Sequence, residues 1–117
     1  MSNLQDKAKE LANAIAESEE FKALERLHQE VESDEVANRM LTNFREIQLT
    51  LQEKQMQGEQ PTEEEIMQAQ KQFEMVQQHE KISELMEQEQ QMSNVIGQVN
   101  QTITEPLEKL YGTPESE

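Results

Sequence analysis

The sequence predicts an all-α protein: an elongated antiparallel helical hairpin or bundle with one very long helix and short flanking helices. Three observations carry that expectation. Apolar residues recur in three- and four-residue steps along most of the 117 residues. Gly and Pro number only three each, and Cys and Trp are absent; that composition excludes a disulfide scaffold, a cysteine-ligated metal centre and a Gly-rich β-sandwich. The breaks in the apolar pattern coincide with helix-capping residues.

The elements follow in order. Leu4, Ala8, Leu11 and Ile15 form one stripe and predict a helix over about residues 3–17. Ser18 caps a second helix, 19–32, with Glu19 and Glu20 at the positive end of its dipole and Phe21, Leu24, Leu27 (or His28) and Val31 on its buried face. Ser33, followed by Asp34 and Glu35, offers the next cap. The helix behind it, 34–57, carries Val36, Met40, Phe44, Ile47 and Leu51 and ends at Gly58, which supplies a left-handed residue. Gly58-Glu59-Gln60-Pro61 is the one clear interhelical loop. Thr62 and Glu65 then make a capping box, with Pro61 just outside the helix where its missing N–H costs nothing. Helix, short loop and helix predict an antiparallel hairpin, with Phe44, Ile47 and Leu51 facing Ile66, Ala69, Phe73 and Val76.

Beyond Thr62 no obvious stop occurs before Thr104-Glu105-Pro106, so residues 63–103 read as one helix about 60 Å long. The stripe thins at His79-Glu80-Lys81, and Gly97 marks a place where the helix could bend. A last short helix over 105–111 begins at Pro106, with Leu107, Leu110 and Tyr111 docking back on the body. Gly112 ends a single all-helical domain of residues 1–112, leaving 113–117 as a frayed acidic tail. The preceding helix spans only about 35 Å, so half of the long helix needs cover from the first two segments or from a second subunit. The expectation is a homodimer.

Charge narrows the function. Ten Lys and Arg against 25 Asp and Glu leave a formal charge of −15, which argues against direct nucleic-acid binding, where clustered cations must replace phosphate counterions. No stretch reaches about 18 apolar residues, so no membrane span is expected, and the opening residues lack a basic-then-apolar leader. A cytoplasmic location is the expectation. Aromatics are only 3% of the chain, which makes the core thin and self-association useful.

Chemistry is sparse. His28 and His79 are the only histidines, and neither belongs to a metal-binding His-Glu-x-x-His pattern. Glu25-x-x-His28 matches the spacing of carboxylate di-metal bundles once, with no second copy. Glu63, Glu64 and Glu65 are consecutive, point in different directions and suit the helix N-terminus. No nucleophile–base arrangement or phosphate loop is present, so no catalytic residue, metal or cofactor is expected. What remains is a possible contact surface: Met86, Met92, Ile96, Val99 and Ile103 lie along the uncovered part of the long helix. The reading is a non-enzymatic interaction or regulatory adaptor. The alternatives are a structural homo-oligomer that binds a small molecule or metal, or a carboxylate-based enzyme.

Ser18-Glu19-Glu20-Phe21-Lys22, Phe44-Arg45-x-x-Gln48, Gln52-x-Lys54-Gln55-Met56-x-Gly58-Glu59, Val76-Gln77-Gln78-His79-Glu80 and Pro106-Leu107-Glu108-x-Leu110-Tyr111-Gly112 resemble the YlbF/YmcA family of small helical bacterial proteins, and within it the uncharacterised YheA-like branch. The resemblance runs from about Leu4 to Gly112. It implies a cytoplasmic all-α protein of a Bacillus-like bacterium. The better-known relatives are non-enzymatic partners in a complex that influences competence, sporulation and biofilm formation, linked to RNA processing through a membrane-anchored endoribonuclease. Iron–sulfur clusters held by cysteine are also associated with those relatives; this chain has no Cys, so that property does not carry over.

Overall fold

The computed structural model describes residues 2–112, and among them every regular element is an α-helix. The order is α1 (Asn3–Glu17), α2 (Glu19–Ser33), α3 (Glu35–Met56), α4 (Glu63–Gln78) and α5 (Glu80–Tyr111). Ser18, Asp34 and His79 are single extended residues that end one helix and cap the next. Each keeps its own N–H on a carbonyl three residues back, at Ile15, Val31 and Val76, while its side chain accepts an N–H three residues ahead, at Phe21, Ala37 and Ile82. The chain therefore turns a corner at the cost of few backbone hydrogen bonds.

Three expectations are corrected. Ser33 is not a cap: it closes α2, its hydroxyl donates to the Glu30 carbonyl, and the Asp34 carboxylate takes the cap position. A charged acceptor is the better partner at the positive end of a helix dipole. The helix expected over 63–103 is two helices broken at His79. Ile66, Ala69, Phe73 and Val76 form the stripe of α4, and Ile82, Leu85, Met92, Ile96 and Val99 that of α5. At 3.6 residues per turn a straight helix would point these stripes roughly 140° apart. The break lets Val76 and Ile82, both fully buried, enter the same core. No separate helix forms over 105–111; α5 runs through both Gly97 and Pro106 to Tyr111. Pro106 deprives the Thr102 carbonyl of a donor, but both residues are exposed and water can serve instead. Gly112, at φ +63°, ends the helix with its N–H on the Glu108 carbonyl. The tail expected over 113–117 lies outside the described residues.

α3 and α4 form an antiparallel hairpin. Gly58, at φ +77°, turns the chain; Lys54 meets Glu65 near the tip at 2.6 Å, and the Phe44 and Phe73 rings lie 5.9 Å apart further down. Thr62 completes the capping box: its hydroxyl accepts the Glu65 N–H at 3.1 Å, and the Glu65 carboxylate accepts the Thr62 N–H at 2.8 Å. The Lys54 hydrogen bond and then the Thr62 N–H hold the Glu65 carboxyl below its ordinary range. A carboxyl whose pKa is lower in the folded than in the unfolded chain stabilises the fold above its unfolded value, and that support is lost as pH falls through the lower folded value. Glu65→Gln removes this contribution. Urea midpoints measured from pH 7 to pH 3 are expected to fall less for the variant than for the wild type, and parallel curves would contradict that role.

α2 packs along the first half of α5, where Gln88 Nε2 donates to the Glu20 carbonyl at 3.0 Å. The core sits where α2, α3, α4 and α5 meet, beside the Asp34 and His79 corners: Leu27, Val31, Ala37, Leu41, Phe44, Val76, Ile82 and Leu85. The Arg45–Glu89 ion pair joins α3 to α5 at its edge. From this hub the α3–α4 hairpin leaves in one direction, and α1 with the second half of α5 leaves in another. The extents are 49 × 37 × 28 Å, and the radius of gyration is 18.9 Å, against about 13 Å for a compact chain of this length.

Candidate interaction surface

The five residues expected on the contact face divide. Met92 is buried and Met86 packs against the core, so these two methionines serve the chain's own interior. Ile96 and Val99 are half-buried, and Ile103 is exposed. Leu107, Leu110 and Tyr111, expected to dock back on the body, are 54%, 74% and 75% exposed instead. An unbroken α5 carries them away from the hub. Ile96, Val99, Ile103, Leu107 and Leu110 step by three and four residues and form one apolar ridge. The sequence pattern held this ridge; the break assumed at Pro106 hid its second half.

Across from the ridge stands α1, which buries no residue at all. No α1 Cα comes within 8 Å of an α5 Cα. Between the two helices runs a trough of about 360 Å³, lined by Leu11 on one side and Val95, Gln98, Val99, Thr102 and Ile103 on the other. Leu4, at the far end of the α1 stripe, is 78% exposed. The two helices present apolar faces to each other across this trough, with Leu11, Ile15, Val95, Ile96 and Val99 half-buried.

Gly97 lies off the ridge, about 110° around α5 from Ile96 and Ile103 taken together. It is exposed, and an added Cβ would meet nothing within 4 Å. Gly97→Ala is expected to stabilise the fold by about 0.5–1 kcal/mol, read as a higher urea midpoint with unchanged slope.

Among the described residues no group of three or more His, Asp or Glu is placed to hold a metal ion. His28 lies on the surface of α2 with Nδ1 3.6 Å from Glu32, and Glu25 lines the same shallow α2–α5 groove. His79 serves as the cap of α5: its Nδ1 accepts the Ile82 N–H at 3.5 Å. Glu63, Glu64 and Glu65 occupy the first turn of α4. Asp34 is held below its ordinary pKa chiefly by the Ala37 N–H, and Glu65 is lowered too; a general acid at neutral pH needs the opposite shift. A groove between α3 and α4 contains Glu46, Glu65, Gln68 and Gln72, and there the Gln72 Oε1 is buried without a partner.

Residues 4–108 match the family model described as "Control of competence regulator ComK, YlbF/YmcA". This chain belongs to the YlbF/YmcA family. A UPF0342 protein of Alkalihalophilus pseudofirmus is 63% identical over 100% of this chain and 99% of its own length. The UPF0342 protein YheA of Bacillus subtilis is 57% identical, over 97% of each chain. A solved structure of a protein of unknown function (DUF964) from Bacillus stearothermophilus superposes with a TM-score of 0.85 at 46% identity, covering 94% of this chain and 96% of that one. The solved structure of yheA from Bacillus subtilis gives 0.73 at 47% identity, over 94% and 100%. The YlbF/YmcA match spans both walls of the trough, from Leu4 on α1 to Leu107 on α5. No described helix of this family member is long and apolar enough to cross a membrane.

Proposed function

We propose that this YlbF/YmcA-family chain is a non-enzymatic regulatory adaptor that acts in the cytoplasm by protein–protein contact, as a homodimer joined through the α5 ridge. One observation carries the reading: an apolar ridge runs from Ile96 to Leu110, its Val99 and Ile103 line an open trough and its far end is exposed, while among the described residues no group of three or more His, Asp or Glu is placed to hold a metal ion. Contiguous apolar surface of this kind marks an interaction site. The family description, control of a competence regulator, agrees with a protein that acts by contact. With a charge of −15 the adaptor suits a protein partner with a basic surface and repels nucleic acid.

The test is affinity purification of the chromosomally tagged protein after mild crosslinking in its host, against an untagged control and a tagged Ile96→Asp/Val99→Asp variant. One or two specific proteins should accompany the wild type and be depleted from the variant. Recovery of the bait alone from wild-type cells contradicts an adaptor role.

A further inference from the structure

The groove between α2 and the first half of α5 lies on the hub, apart from the ridge, and holds about 390 Å³. We propose that it is the docking site for an amphipathic helix of a protein partner, whose two arginines, spaced two turns apart, enter beside Glu25 and Glu32 with an apolar side chain between them. This rests on the adaptor reading and adds to it where the partner docks and what it presents.

Three observations point to such a helix. The first is the pattern on α2. Phe21, Glu25, His28 and Glu32 step by four, three and four residues and form one stripe along the groove, with Leu24 beside it. Glu25 and Glu32 therefore share a face, about 10 Å apart along the helix axis. A helix laid against α2 that repeats this interval meets both carboxylates at once, which is how a groove reads an amphipathic helix.

The second is charge. Glu25, Glu32 and Glu89 line the groove, and no Lys or Arg does. Among the described residues Glu25 has no ion pair, and Glu32 has only the His28 ring, 3.6 Å away. Glu89 is held by Arg45 of α3, and the nearby Arg26 is turned to Glu30. Two carboxylates thus stand beside apolar surface without a counter-charge, and an incoming cation supplies it. The other cavities lack this combination. No charged residue lines the α1–α5 trough, and in the α3–α4 groove Glu65 is already satisfied by Lys54 and Thr62.

The third is the apolar lining, which selects arginine over lysine. Phe21 and Leu24 are half-buried there, and the Phe21 ring stands one turn from Glu25. A guanidinium is planar, more weakly hydrated than an ammonium, and able both to grip a carboxylate through two N–H groups and to lie on an aromatic face. A second cavity of about 140 Å³ shares His28 and Glu32 with the groove and reaches Val31, Leu41 and Leu85 of the core, which gives the apolar side chain a place to enter.

The experiment is fluorescence anisotropy on the full chain at about 0.15 M salt. The probe is a fluorescein-labelled, end-blocked helical peptide of Ala and Leu with two arginines two turns apart, compared with the same peptide carrying lysine or citrulline at both positions. Because the chain carries −15, attraction to net charge must be separated from the groove. Wild type is therefore set beside Glu25→Gln/Glu32→Gln and beside Glu59→Gln/Glu74→Gln, which removes the same charge from exposed positions elsewhere. The arginine peptide is expected to bind wild type and the outer variant alike and the groove variant at least about tenfold more weakly. The lysine peptide should bind wild type less tightly than the arginine peptide, and the citrulline peptide least of all. Equal weakening by both variants overturns the groove, since net charge would then explain binding. No binding of the arginine peptide to wild type also overturns it, and a lysine peptide that binds as tightly overturns the selection of arginine. In the crosslinking purification, partners recovered as well with Glu25→Gln/Glu32→Gln as with wild type overturn the groove and leave the adaptor reading standing, whereas recovery of the bait alone overturns both.

Discussion

Leu85→Ala is expected to destabilise the folded chain by about 3 kcal/mol, within the range of roughly 2–5 kcal/mol for emptying a fully buried leucine site. Leu85 is completely buried in the cluster that holds α2, α3, α4 and α5 together. A domain of this size has only about 5–15 kcal/mol of total stability, so the single change removes a large part of it. The core is small: nine buried apolar residues serve the described chain, with one aromatic, Phe44, among them. Few neighbours can move to fill the space. Urea unfolding of wild type and variant measures the difference, and a loss below 1 kcal/mol would show that the hub is not where stability resides.

The second large effect concerns assembly. Ile96→Asp with Val99→Asp is expected to weaken self-association by about 4 kcal/mol, roughly a thousandfold, because burying each side chain contributes about 1.5–3 kcal/mol. The new carboxylates would face their two-fold copies on an already acidic chain. Both positions lie outside the buried cluster, so helicity at 222 nm should stay close to wild type. A folded variant that dimerises as tightly as wild type would remove the ridge from the interface.

Much of this molecule is legible in its sequence because helices announce themselves locally. Ser18, Gly58 and the Thr62–Glu65 capping box act within three or four residues, and their geometry depends on little else. The α3–α4 hairpin follows from two stripes and a short loop. The corner at His79 is subtler. No Gly or Pro marks it; the only signs are the thinned stripe and a phase jump between Val76 and Ile82, and an imidazole is an unusual cap. Pro106 misled in the other direction. A proline read as a boundary is tolerated inside α5 because the neighbouring backbone is exposed. The contact face was half legible for the same reason. Periodicity identifies which residues share a face, as it does for Ile96, Val99 and Ile103, but not which neighbour that face meets. Met86 packs against the chain's own core and Met92 is buried, a matter of tertiary placement that spacing does not encode.

The most direct measurement is the mass of the wild-type chain in solution, by sedimentation equilibrium from about 1 to 100 µM, a range that brackets dissociation constants near 1 µM. Self-association through the ridge predicts twice the 13.6 kDa chain mass at the upper concentrations, shared by Leu85-intact variants such as Gly97→Ala. A single species of 13.6 kDa at every concentration would contradict it and leave the ridge of α5 without a second copy to cover it.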